Sequence, residues 1–284
     1  MTPPKADATR PPIRACIFDL DGLLINTEEI ITASVNSLLS KYDRPPLPRT
    51  IRTQLMGVPD STNSDAFHEW ACLPITREQW RFECSEAMRK GFEGCLPIPG
   101  AERVLESLSR ARSSFAGERI QLALASSTKS RSYKLKTSLP ETKRLLEFIP
   151  PDRRVLGDDP RIREGRGKPA PDIYLLALQT INADLNLSDG PILPRECLVF
   201  EDSAVGVESA RRAGMRVVWV PHEDVLGEYQ ARGEVECVLP GRVGSAAKGV
   251  GGDEQLGEIG DGWGEVILSL EDFKYGKYGV YVPT

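Results

Sequence analysis

The chain has 284 residues, 40% hydrophobic and 27% charged, an ordinary globular composition that allows two compact units and excludes disordered or collagen-like sequence. Its 36 basic and 41 acidic residues give a net charge of −5 with no basic block, which argues against nucleic acid as a partner. No apolar run approaches the roughly 20 residues of a membrane span and the N-terminus lacks a signal-peptide apolar segment, so a cytoplasmic, monomeric protein with no membrane partner is expected.

Residues 1–12 carry four prolines and read as a loose leader, so the fold is expected to begin near Ile13. The apolar run Ala15-Cys16-Ile17-Phe18 predicts a buried strand that ends in the acidic turn Asp19-Leu20-Asp21-Gly22. From Thr27 to Pro97 the pattern is helical without a convincing strand, the mark of an inserted helical domain with hinges near Asn26 and Pro97-Ile98-Pro99-Gly100. Further strands are predicted at Ile120–Ala125, Arg154–Leu156, Cys197–Phe200 and Val217–Val220, with helices at Glu102–Ala111, Pro171–Leu178 and Ala204–Ala213. Strands alternating with helices predict an α/β fold with a Rossmann-like parallel sheet, formed by residues 12–26 and 98–284 around the helical unit 27–97. The stretch 241–264 holds nine of the 25 glycines and reads as a flexible insertion, with a final short helix expected over Trp263–Leu270.

Six cysteines, Cys16, Cys72, Cys84, Cys95, Cys197 and Cys237, show no C-x-x-C spacing and are expected as reduced, mostly buried thiols. With only His68 and His222 as histidines, both read as surface or packing residues, chemistry is expected to rest on carboxylates. Asp19 and Asp21 lie two apart at a strand end, a period that points both side chains the same way. Alone they could be a turn. Glu201-Asp202 follows another strand and would reach the same carboxyl edge, where open α/β sheets bind ligands; together the acidic groups favour an oxygen-rich Mg²⁺ site over simple helix capping. Ser126-Ser127-Thr128 after the second long strand and Lys168 in Gly167-Lys168-Pro169-Ala170-Pro171-Asp172 could supply donors for a phosphate. The loose G-x-G-x-x-A over Gly165–Ala170 is spoiled by Pro169 and by its place outside a strand-to-helix turn. Met56-Gly57-Val58-Pro59 reads as a turn able to reach a substrate.

These segments resemble the haloacid-dehalogenase-like (HAD) hydrolase superfamily. Phe18-Asp19-Leu20-Asp21-Gly22-Leu23-Leu24-Ile25-Asn26-Thr27-Glu28 is similar to its first motif and Ala125-Ser126-Ser127 to its second. Lys168 with Pro169-Ala170-Pro171-Asp172 is similar to the third, and Val199-Phe200-Glu201-Asp202-Ser203 with Gly206-Val207 to the fourth. The helical insertion resembles the family's helical-cap subclass of beta-phosphoglucomutases, pseudouridine-5'-phosphatases and deoxysugar-phosphate phosphatases. The resemblance implies Asp19 as nucleophile, Asp21 as acid and base, and Ser126, Ser127 and Lys168 as phosphate-binding groups. It further implies Mg²⁺ held by Asp19, the Asp21 carbonyl and Asp202, with Glu201 a ligand or its neighbour. The expected activity is a Mg²⁺-dependent phosphatase acting on a small phosphorylated metabolite, a sugar or nucleoside monophosphate such as pseudouridine-5'-phosphate. A phosphosugar mutase and a catalytically silent binding protein are the alternatives; the mutase branch usually has a cap histidine where this chain has Ile31. Asn26 stands where an aspartate is more usual, and the segment Gly157–Gly167 is longer than expected.

Overall fold

A computed structural model describes residues 10–55, 64–114, 117–184, 190–242 and 256–283. The strands are β1 (Ala15–Phe18), β2 (Arg112–Ser113), β3 (Gln121–Ser126), β4 (Arg154–Leu156), β5 (Cys197–Glu201), β6 (Arg216–Trp219), β7 (Gly264–Val266) and β8 (Val280–Tyr281). Six of them form one sheet in the order β4-β3-β1-β5-β6-β7, parallel throughout, while β2 and β8 make a small antiparallel pair. The chain thus has the Rossmann-like α/β core expected of it. Because β1 lies between β3 and β5, the order of strands reverses there, and the carboxyl ends of these three strands share one edge.

The strands read as unbroken apolar runs because both faces of the sheet are covered. Cys16 and Phe18 of β1, Leu122 and Leu124 of β3, and Leu198 and Phe200 of β5 point to one face. There α5 (Ala101–Arg110) buries Val104, Leu105 and Leu108, and Phe273 and Tyr278 come from the C-terminal segment. Phe18 and Phe200 stack across the strands with ring centroids 4.6 Å apart. The alternate residues Ile17, Ala123 and Val199 face the helices α8 (Asp172–Asp184) and α9 (Ala204–Arg212). These helices supply Tyr174, Ala177, Ile181, Val207 and Ala210 to that layer.

Between β1 and α5, the described residues form α1 (Thr27–Lys41), α2 (Arg49–Leu55), α3 (Asp65–Ala71) and α4 (Arg77–Phe92), with no strand among them. This insertion has its own core of Val35, Leu39, Phe67, Trp80 and Cys84. The chain leaves and re-enters the sheet unit side by side: Asn26 N donates to the Leu96 carbonyl at 3.0 Å, and Leu96 N donates to Asn26 Oδ1 at 2.8 Å. Asn26 therefore ties the two crossing segments together, a reason for an amide at this position. Arg52 of α2 reaches across to Asp224 at 2.7 Å, on the helix α10 (Glu223–Arg232) of the sheet unit.

One expectation for the fold changes. The helix expected over Trp263–Leu270 is instead β7, followed by a 3-10 turn at Leu270–Asp272. The open edge of β6 decides this: Val217 N donates to the Trp263 carbonyl at 2.9 Å and Ile267 N to the Trp219 carbonyl at 3.0 Å. Of the glycine-rich stretch 241–264, residues 243–255 lie outside the described residues, as do 1–9 of the leader and the turn at Met56–Pro59. The described remainder contacts the rest of the fold: Gly257 N donates to the Pro240 carbonyl and Arg211 pairs with Asp261. All six cysteines are free thiols, four of them buried.

Trp80 is fully buried and stacks on Phe67 at 5.1 Å. Trp80→Ala is expected to lower the stability of the insertion by about 3–5 kcal/mol through lost transfer energy and a residual cavity. Urea unfolding followed by far-UV circular dichroism measures it.

Candidate active site

The site is built at the carboxyl ends of β1, β3 and β5. Asp19 immediately follows β1 and is 6% exposed; its backbone N–H donates to the Phe200 carbonyl, which fixes it against β5. Lys168 Nζ donates to Asp19 Oδ1 at 2.5 Å and to Glu201 Oε1 at 2.6 Å. Tyr174 donates its hydroxyl proton to Glu201 Oε1, while Ser203 donates both its N–H and its hydroxyl to Glu201 Oε2. A carboxylate has about four lone-pair positions, and these four donors fill those of Glu201. Glu201 therefore anchors Lys168, while its carboxylate also lies within reach of Asp19 and Asp202. Gly206 makes this burial feasible, because a Cβ there would lie 1.9 Å from the Glu201 carboxylate.

Asp21 departs from the expected geometry. β1 ends at Phe18, so the two-residue alternation does not extend to Asp21, and the two aspartates are drawn to opposite neighbours of β1. Asp21 Oδ1 accepts from Lys136 at 2.6 Å, and Oδ2 accepts from Thr128 Oγ1 at 2.5 Å, with Ser126 Oγ at 3.4 Å. Lys136 closes α6 (Ser130–Lys136), the helix after β3, and is 6% exposed. Ser126 is fully buried and accepts from Thr128 N at 3.1 Å, whereas Ser127 is exposed.

Asp19, Glu201 and Asp202 place carboxylate oxygens within 4.8 Å of one another, all buried. Burial pushes Asp19 up to about 7; Lys168 opposes this, while the Glu201 and Asp21 charges add to it. Asp202 is raised well above the usual carboxylate range by burial, Glu201, Asp19 and Glu28. Burial also acts against ionised Asp21, but Lys136 and hydrogen bonds from Lys136, Thr128 and Thr27 outweigh it and hold the carboxyl below its ordinary value. Lys168 is held above its ordinary value, the Asp19 and Glu201 charges outweighing its own burial. With all of Asp19, Asp21, Glu201 and Asp202 ionised, Lys168 and Lys136 alone would not neutralise them, and burial accordingly raises Asp19 and Asp202 in the absence of a further cation. An all-oxygen, buried donor set of this kind fits a hard divalent cation. Gly22, at φ +74°, shapes the same spot: a Cβ there would meet Asp202 Oδ2 at 2.4 Å.

A cleft of about 260 Å³ opens beside Asp202 and Gly22, walled by Glu28, Ile98, His222 and Leu268. A larger groove of about 520 Å³ along Pro97–Glu106 has none of the buried aspartates in its wall. His222, expected as a surface or packing residue, caps α10 through Nδ1 and also lines the smaller cleft; His68 sits in α3 of the insertion. Sequence reasoning missed Lys136 and Tyr174, and Thr128, expected among the phosphate donors, directs its hydroxyl to Asp21. The segment Gly157–Gly167 also gains a structural account, since Asp158 Oδ1 accepts from Ser130 N at 2.9 Å and so caps α6.

The pattern of the haloacid dehalogenase-like hydrolase family matches residues 16–220, spanning β1 through β6. The chain belongs to this family. It is 34% identical over 271 residues to a Saccharomyces cerevisiae protein named "Probable pseudouridine-5'-phosphatase", covering 94% of this chain and 98% of that one. To the mitochondrial (DL)-glycerol-3-phosphatase 1 of Arabidopsis thaliana it is 33% identical, over 78% of this chain and 69% of the relative. Among solved structures, a HAD-family hydrolase from Deinococcus radiodurans with bound phosphate and sodium aligns at TM-score 0.54 and 26% identity, over 73% of this chain and 80% of that one. This member of the HAD family is a hydrolase.

The buried acidic donor set makes a prediction about divalent ions. Mg²⁺ or Mn²⁺ is expected to raise the melting temperature progressively, by the equivalent of about 2.7 kcal/mol at a hundredfold excess over Kd. Asp202→Asn is expected to abolish the shift and Asp21→Asn, which keeps its carbonyl, to retain most of it, as measured by differential scanning fluorimetry.

Proposed function

We propose that this hydrolase is a Mg²⁺-dependent phosphatase that releases phosphate from a small phosphorylated metabolite, a sugar or nucleoside monophosphate, through an aspartyl-phosphate on Asp19. The chain is a phosphoric monoester hydrolase, as its family and its relatives named as phosphatases support. The observation that carries the finer reading is the pair of buried lysine–aspartate contacts at the end of β1, Lys168 on Asp19 and Lys136 on Asp21, which give two neighbouring carboxylates different surroundings. Two carboxyls with separated environments can take separate roles.

In this reading Asp19 attacks phosphorus while Lys168 neutralises charge on the phosphoryl oxygens, and the Ser126 hydroxyl offers a further donor. Asp19, Asp202 and the Asp21 carbonyl would hold Mg²⁺, which supplies Lewis-acid charge stabilisation to the phosphoryl group. Asp21 gives a proton to the leaving oxygen in the first half-reaction, and the ionised form so produced, which Lys136 stabilises, takes the proton from the attacking water in the second. The helical insertion, residues 27–97, acts as a cap: its α2 rests on α10 through Arg52 and Asp224, beside the cleft at His222. A cleft of about 260 Å³ supports a small substrate. Pseudouridine-5'-phosphate is a candidate because a relative is named a probable phosphatase of it, and the relative named a glycerol-3-phosphatase adds a small polyol phosphate to the substrates to test.

A panel of sugar, nucleoside and polyol monophosphates tested with Mg²⁺ is expected to yield phosphate release from at least one small ester. Asp19→Asn is expected to reduce it to background while leaving the fold intact. Phosphate release by Asp19→Asn at a wild-type rate would overturn the assignment, and transfer to a sugar hydroxyl faster than release, followed by phosphorus NMR, would favour a mutase.

A further inference from the structure

The expected site residues leave out a buried cation at their centre. Lys136 Nζ lies 2.6 Å from Asp21 Oδ1 and 2.8 Å from Thr128 Oγ1, and its remaining side stands 4.4 Å over the ring of Phe92. Thr128 in turn donates to Asp21 Oδ2, so the three groups form a closed triangle that fixes both carboxyl oxygens. A surface lysine is free to remain in water; burying one is strongly unfavourable unless it is paired and hydrogen-bonded, and both hydrogen bonds here serve one carboxylate, directly or through Thr128. Its helix is held at the other end as well, by Asp158 capping Ser130. Phe92 is the last residue of α4, where the helical insertion returns toward the sheet.

We propose that Lys136 is the positioning residue for Asp21, aiming its carboxyl at the leaving-group oxygen and coupling that aim to the seated end of the helical insertion through Phe92. The proposal rests on the phosphatase reading and deepens it. In the first half-reaction the phosphorus–oxygen bond to the leaving group breaks, Asp19 takes the phosphoryl group, and the proton on Asp21 passes to the departing oxygen. In the second half-reaction water attacks phosphorus, phosphate leaves Asp19, and Asp21 takes the proton from that water. Without Lys136 the Asp21 carboxyl loses one edge of its triangle, so steps that need its proton at a fixed point suffer most.

The readout is the dependence of kcat/KM on the leaving group, since kcat/KM covers the steps through phosphoenzyme formation. An alkyl phosphate needs its leaving oxygen protonated, whereas p-nitrophenyl phosphate expels a stable anion. Lys136→Met and, in parallel, Lys136→Gln are expected to lose about a hundredfold in kcat/KM on the alkyl ester from the wild-type panel and about fivefold on p-nitrophenyl phosphate. Equal losses on both substrates, no loss on either, or failure of both variants to fold would make Lys136 a structural residue and overturn the proposal. A wild-type enzyme that releases phosphate from neither substrate in Mg²⁺ would instead strike the phosphatase reading itself, and this proposal with it.

Discussion

Burying several carboxylates side by side is the constraint around which this molecule is arranged. Asp19, Glu201 and Asp202 sit in the low-dielectric end of the sheet, where each raises the energy of the others, and Asp21 lies one turn away. Lys168 and Lys136 are the counterweights, one on each side of β1. Their placement depends on elements far apart in the chain. Lys168 comes from the turn before α8, Lys136 from the end of α6, and Glu201 from the end of β5. The glycines follow the same logic, since Gly206 and Gly22 leave room where a Cβ would collide with Glu201 or Asp202.

Most of the candidate site was legible because it lies where short apolar runs stop. Asp19, Ser126 and Glu201 all sit at the ends of strands whose positions follow from unbroken buried sequence, and a parallel sheet necessarily gathers those ends. Lys136 was not legible in this way. In Tyr133-Lys134-Leu135-Lys136 the two lysines look alike as sequence, yet Lys134 is exposed and Lys136 buried, a difference made by the packing of α6 against Phe92 and Asp21. The role of Glu201 was also open from sequence, because its four donors include Tyr174 from a separate helix.

The fold shows the same division. Five of the six sheet strands were readable, the three-residue edge strand β4 among them, whereas β7 at the other edge was mistaken for a helix. The run Val266-Ile267-Leu268 is too short to declare a period, and only the unpaired edge of β6 selects the extended form. The direction of Asp21 was misjudged for a related reason: alternation holds within a strand, and β1 ends before the second aspartate. Beyond that point hydrogen bonds from Lys136 and Thr128, not backbone period, set where the side chain goes.

The position of β1 also has a bearing on how the molecule is made. Among the described strands the first in sequence, β1, lies inside the sheet, and its partners begin at Gln121 and Cys197. Contacts so distant in sequence form slowly, because a long loop must close before any pairing rewards it. The helices between Thr27 and Phe92 carry local contacts and a core of their own, so they can condense while β1 still waits for its neighbours. Assembly of the site is thus a late event of synthesis: until β5 has emerged, the carboxylates and cations that must neutralise one another are not yet on the same surface.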